Sequence, residues 1–279
     1  MTAFDGNRLN RIGDWMQSYV DTNRFAGASV LIAQGGQEVY YHDCGLRDTV
    51  RATPWQRDTV ARIYSMTKPI TSVAIMMLAE RGLFHLDAPV SDFIPAFRDM
   101  NCLVEDASSI DQVVPCLTPT LHQLLTHTSG LSYAFNPGVL GEEMAALKVE
   151  FRADGGDLAA ACDRAAALPL AFAPGKRWNY SIGIDILGRV IEVVSGKTLE
   201  QFFIEEIFDP LGMNETRFSV PAHATDRIAP CYAPLAVHAV SFRQVEKAGK
   251  RLRLIDAYSQ SHLPSYTHDD GCGVLADVQ

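Results

Sequence analysis

The tetrapeptide Ser65-Met66-Thr67-Lys68 sets a hydroxyl and an amine three residues apart. In a helix that spacing puts both on one face, one turn apart. A serine hydroxyl is a poor nucleophile near neutral pH, and a neighbouring amine able to take its proton makes it a good one. Alone, the four residues read more simply as a capping serine and a solvated lysine. Their surroundings reverse that reading. Between residues 70 and 79 only Thr71 and Ser72 are polar, so apolar side chains wrap the helix and predict burial on most sides. Pro69 is tolerated only in a first helical turn, which sets the helix start close to Ser65. Lys68 is then expected to enter an interior, where desolvation disfavours a charged ammonium. A serine at a helix N-terminus also has backbone N–H groups and the positive dipole end beside it, which favour developing negative charge.

The elements that must position these two residues are partly legible. Residues 9–19 read as an amphipathic helix. Residues 28–33 and 38–41 alternate around Gly35-Gly36 and predict a β-hairpin whose glycines supply positive φ. The Ser65 helix should end at Arg81-Gly82, with glycine just past the last turn. Residues 101–119, with two prolines and little periodicity, read as a long loop. Short helices are expected over 121–125 and 159–167, and a strong one over 184–194 with Gly196 after it. Thr198 and Gln201 have capping-box spacing for another helix that runs to Phe208 before Pro210. The stretch 120–210 is thus mainly helical, and both flanks have strand character. Residues 271–277 read as a turn, a short strand and a helix N-cap.

At 279 residues, 47% hydrophobic and 20% charged, the chain has the composition of a globular protein with ample core material. A net charge of −9 argues against nucleic acid or an anionic membrane surface as partner. No basic start followed by an apolar stretch marks a signal peptide, and no apolar run has the length of a membrane span. Six scattered cysteines without a C-x-x-C pair suit reduced structural thiols and a cytoplasmic protein. Ser195-Gly196-Lys197-Thr198 lacks the glycine a phosphate loop needs at position 191, which is isoleucine. His122 and His127, five apart, raise a metal site on spacing, which the signature described below sets aside by implying a structural histidine; no G-x-S-x-G elbow is present. No metal and no cofactor is implied.

Three further stretches carry a resemblance. Leu124-Leu125-Thr126-His127-Thr128-Ser129-Gly130-Leu131 resembles the L-L-T-H-T-S-G-L signature of the serine β-lactamase-like superfamily. Phe172-Ala173-Pro174-Gly175-Lys176-Arg177-Trp178-Asn179-Tyr180-Ser181 resembles the F-x-P-G-x-x-W-x-Y-S segment with the second catalytic motif of its class C-like branch. Residues 185–192 resemble the helix that follows it. The Ser65 tetrapeptide is similar to the S-x-x-K nucleophile motif of penicillin-binding proteins and serine β-lactamases. Within this superfamily the chain is most similar to the family VIII carboxylesterases and related acyltransferases. The resemblance implies an α/β (α+β) fold, an antiparallel sheet flanked by helices with an inserted, mainly helical domain, and an active site in the cleft between them. The expected division is an α/β domain from residues 1–95 plus 240–279 and a helical domain over 96–239. It also implies that Ser65 is acylated, that Lys68 is its proton partner and that Tyr180 is a second general base. From the residues alone, Tyr180 is equally well read as core filler behind Trp178, although a phenol can ionise where cations lie beside it.

Two departures from the family pattern matter. The second motif is Y-x-N in β-lactamases and reads Tyr180-Ser181-Ile182 here, and an isoleucine cannot hydrogen-bond a lactam side-chain amide. The third motif, K-T-G or its H-x-G and W-x-G forms, is absent. The resemblance puts it on a strand beyond residue 277 that donates one oxyanion-hole N–H, the Ser65 amide giving the other, and so implies a longer protein. The expected function is therefore a serine hydrolase acting on a small-molecule short-chain carboxylic ester through an acyl-serine intermediate. Tyr133, Trp178 and Ile182 are weaker candidates for substrate binding. Three alternatives stay open: a β-lactamase or D-Ala-D-Ala peptidase, an acyltransferase, and a catalytically silent binding protein on the same scaffold. The oligomeric state is not legible in the sequence.

Overall fold

In a computed structural model the described residues are 4–149, 157–234, 252–256 and 275–276. They fall into two compact units that part at 62/63 and 218/219, whereas the sequence suggested 95/96 and 239/240. The displacement of the first boundary has a physical reason. The Ser65 helix packs on helices that follow it in the chain and belongs with them.

The first unit opens with α1 (Gly6–Asp21), whose N-terminus is capped by the Asp5 carboxylate accepting from the Asn7 N–H at 2.9 Å. Leu9, Gly13 and Met16 are its buried residues, spaced for one helical face. The expected hairpin is β1 (Gly27–Gln34) against β2 (Gln37–Asp48), antiparallel in the register Gly27↔Gly45 to Gln34↔Gln37. Gly35 and Gly36 make its turn with φ of 59° and 76°, a conformation that only glycine adopts without strain. A short β3 (Thr53–Pro54) extends this sheet in the order β1-β2-β3. β4 is Ala61–Arg62.

The second unit is built on α2 (Thr67–Glu80). Then come two short antiparallel strands, β5 (Asn101–Leu103) and β6 (Val113–Pro115), where the sequence suggested only a loop. α3 (Leu121–Leu125) and α4 (Val139–Ala146) follow, then α5 (Leu158–Ala166) and α6 (Gly183–Ser195). Next is α7 (Leu199–Phe203), which continues as a π-turn over Ile204–Phe208 into α8 (Asp209–Leu211). α6 is central. It packs on α2, α3, α5 and α7, and Ile186, Leu187, Val190 and Ile191 are buried on it. Gly196 ends it at φ 69°, its N–H returning to the Glu192 carbonyl at 2.9 Å. The Thr198–Gln201 capping box is present. α2 departs from expectation on one face. Ala74, Ile75 and Leu78 are in the core, but Val73 and Met76 are about half exposed.

In the first unit the chain resumes as β7 (Cys231–Pro234), paired with β8 (Leu252–Asp256), and β9 (Leu275–Ala276) pairs with β4. β9 is the strand read from residues 271–277; the turn and helix cap expected around it lie outside the described residues. The five cysteines described in the structure are free thiols, and burial beside Cys102 pushes the Cys116 thiol up to about 12. Among the described residues no helix is long and apolar enough to cross a membrane.

Candidate active site

Ser65 precedes α2, in a 3-10 turn over Tyr64–Met66. Tyr64 has φ 43°, a left-handed conformation costly for a residue with a Cβ. Ser65 in that turn is exposed. One helical turn on, Lys68 is half-buried, and its Nζ donates to Ser65 Oγ at 3.3 Å. Thr71 and Ser72, the two polar residues in the apolar run, donate back to the Thr67 and Lys68 carbonyls at 3.3 and 2.9 Å, so neither leaves a polar group unsatisfied.

Tyr180 reaches this pair from the segment that leads into α6. Its hydroxyl lies 2.7 Å from Ser65 Oγ, and Lys68 Nζ is 4.9 Å from its ring centre, within cation–π range. The three polar atoms expected from sequence therefore meet at Ser65 Oγ.

What holds Tyr180 there is a set of backbone bonds between two distant stretches. Asn179 N–H donates to the His127 carbonyl at 2.8 Å, Gly175 N–H to Thr128 at 2.8 Å and Ala171 N–H to Gly130 at 2.7 Å. Asn136 Nδ2 donates to the Tyr180 carbonyl and to Ser132 Oγ, both at 3.0 Å. Asn179 Nδ2 donates to the Leu131 carbonyl at 2.8 Å. Residues 127–132 and 171–182 are thus laced together. Gly130 makes the lacing possible: its φ is 87°, and a Cβ there would run into the Phe172 carbonyl oxygen. Gly130→Ala is expected to destabilise the protein by about 1–3 kcal/mol from backbone strain alone, read as a lowered urea midpoint with unchanged m-value.

His127 sits in the same lacing with φ 55°. Its Nδ1 accepts from the Ser181 N–H at 3.3 Å and lies 3.3 Å from Ser181 Oγ, and its ring centre is 4.9 Å from that of Tyr180. Burial, and then the positive charge of Lys68, hold the His127 pKa below its usual 6.5. The folded protein thus binds this proton less readily than the unfolded chain, so its stabilising contribution is whole above pH 6.5 and declines as pH falls through the folded value. The thermal midpoint should fall on acidification from that pH, and His127→Gln should flatten the fall. Glu38 and Glu206, lowered by their arginine and lysine partners, act only below the ordinary carboxylate value of 4.5.

Of the weaker candidates, Tyr133 lines the site. Its ring centre is 5.3 Å from that of Tyr180 and 5.6 Å from Lys68 Nζ, and its hydroxyl donates to Asp185 at 3.3 Å. Trp178 stacks near Tyr180 at 6.4 Å and is 65% exposed. Ile182 is fully buried in the helical core and offers no surface to a ligand. Asn136 was not legible as a site residue; an Asn-Pro-Gly run signals a turn, not a hydrogen bond to a residue 44 positions away. Asn136 and Asn179 also line a cleft of about 870 Å³, to which Ser65, Lys68 and Tyr180 contribute no wall.

Residues 12–250 match the beta-lactamase family, and the chain belongs to it. It is 37% identical over 210 residues to esterase EstB of Burkholderia gladioli, covering 72% of this chain and 51% of that protein. The fold superposes on EstCE1, a hydrolase with promiscuous acyltransferase activity, with a TM-score of 0.76 at 26% identity, over 96% of this chain and 69% of that one. A class C beta lactamase from Rhodobacter sphaeroides shares the fold with a TM-score of 0.63 at 20% identity, over 96% of this chain and 62% of that one. The chain spans about half the length of the curated relatives it matches.

Proposed function

We propose that this protein is a serine hydrolase that cleaves short-chain carboxylic esters through an acyl-serine intermediate. The observation that carries the reading is the convergence of Tyr180 OH and Lys68 Nζ on Ser65 Oγ, at 2.7 and 3.3 Å. As Oγ bonds to the ester carbonyl carbon, its proton passes into the Lys68–Tyr180 pair, and the pair gives that proton to the departing alcohol oxygen. Water then attacks the acyl carbon and loses a proton to Tyr180. The acyl–Oγ bond breaks as Oγ regains a proton, which releases the acid.

Esters fit better than lactams because Ile182 stands where the family's lactamases carry an amide side chain, and its side chain is wholly buried. Similarity to EstB supports the same choice. Acyl transfer, with an alcohol or amine in place of water, is the second reading. It is favoured by the exposed position of Ser65 and by the promiscuous acyltransferase activity stated for EstCE1.

The test is intact-mass and stopped-flow analysis with p-nitrophenyl butyrate. A nitrophenol burst stoichiometric with enzyme, together with a butyryl adduct on Ser65, is expected. A folded protein that yields neither burst nor adduct is a binding protein instead.

A further inference from the structure

Two of the most exposed aromatic rings in the helical unit are joined by ring contacts to Tyr180. Phe135 is 68% exposed and Trp178 65%. They are the ends of a row of four rings. Phe135 stacks on Tyr133 with centres 4.8 Å apart and planes at 17°. Tyr133 lies 5.3 Å from Tyr180, and Tyr180 lies 6.4 Å from Trp178 with planes at 26°. The two inner rings are half-buried and have their hydroxyls committed, Tyr133 to Asp185 and Tyr180 to Ser65. The two outer rings are exposed, Trp178 one ring contact and Phe135 two ring contacts from Tyr180, whose hydroxyl meets Ser65 Oγ.

We infer that Phe135 and Trp178 are specificity-determining residues that bind a planar ring carried on the alcohol side of the ester. The inference rests on Ser65 being the acylated nucleophile. With the acyl group short, the larger apolar group of the substrate is the alcohol. Apart from Met66, exposed next to Ser65, the apolar surface joined to Tyr180 by ring contacts is aromatic. Aromatic faces discriminate shape: a flat ring gains offset-stacked or edge-to-face contact, and a puckered ring of the same size gains area only. Sequence signals Trp178 through its motif, but Phe135 lies in no motif. Only its stacking on Tyr133 brings it to the site.

The test compares benzyl butyrate with cyclohexylmethyl butyrate, two esters of similar leaving-group basicity. The wild-type protein should show a KM about three- to tenfold lower for the benzyl ester, the range that ring–ring contacts supply. Phe135→Leu and Trp178→Leu keep apolar area but lose the ring, and each should erase part of that preference. Equal KM values in the wild type, or Leu variants that keep the full preference, would overturn the inference. Binding is read separately by calorimetry on Ser65→Ala with the inert N-benzylbutanamide and N-cyclohexylmethylbutanamide. If the wild type hydrolyses neither ester, the esterase reading fails. A benzyl-amide preference that Phe135→Leu abolishes would then still support the aromatic shelf, and its absence would refute it.

Discussion

Ser65→Ala should lower kcat/KM for p-nitrophenyl butyrate by about a thousandfold or more, as loss of a covalent nucleophile does in serine hydrolases. That corresponds to about 4 kcal/mol of transition-state stabilisation. The substitution is a clean probe here because Ser65 is exposed and contributes nothing to the core. It deletes the atom on which Tyr180 and Lys68 converge and leaves both side chains in place. The unfolding midpoint should move little, so a lost rate cannot be ascribed to lost fold. No acyl adduct should form on the variant. Hydrolysis within tenfold of wild type would mean that water is activated directly, and the acyl-serine route would be abandoned.

Where the sequence speaks through short-range rules, it speaks clearly. The 184–194 helix has an apolar period and a glycine in the left-handed position after it, both local features, and α6 follows them to within a residue. The Thr198–Gln201 capping box and the Gly35-Gly36 hairpin are local in the same sense. The pair β5–β6 was illegible for the converse reason. Each strand has three residues, too few for an alternation to register, and a register across the intervening loop cannot be read from local pattern. For α2, all-round apolarity predicted all-round burial, but Val73 and Met76 are half exposed, because composition alone does not say which face finds a partner.

The site divides along the same line. Ser65 and Lys68 are three residues apart, so helix geometry alone joins them. Tyr180 comes from 115 residues away, and only the family pattern of residues, not any periodicity, connects it to Ser65. Its supports are less legible still. Asn136 and the His127–Ser181 contact act through backbone groups, which carry no residue-type signal. Ile182 illustrates the limit of reading a motif position as a pocket position: it is the N-cap residue just before α6 and is wholly buried.

Tyr180→Phe separates the phenol from the ring. The substituted ring can keep its packing against His127, Tyr133 and Trp178, with centres 4.9 to 6.4 Å away, so only the oxygen 2.7 Å from Ser65 Oγ is lost. General acid–base catalysis contributes about 10²–10⁴-fold, and kcat should fall by that order with KM little changed. The contact distances suggest how the loss divides between steps. Lys68, at 3.3 Å, remains to take the Ser65 proton during acylation, whereas Tyr180 is the group assigned to activate water in deacylation. The variant should therefore still give a nitrophenol burst, slower than wild type, followed by a steady rate reduced further, with butyryl-Ser65 accumulating in the mass spectrum. A variant that turns over within a few-fold of wild type would leave Lys68 as the sole proton carrier and return Tyr180 to a packing role. Loss of burst and turnover together would instead assign the phenol to acylation as well.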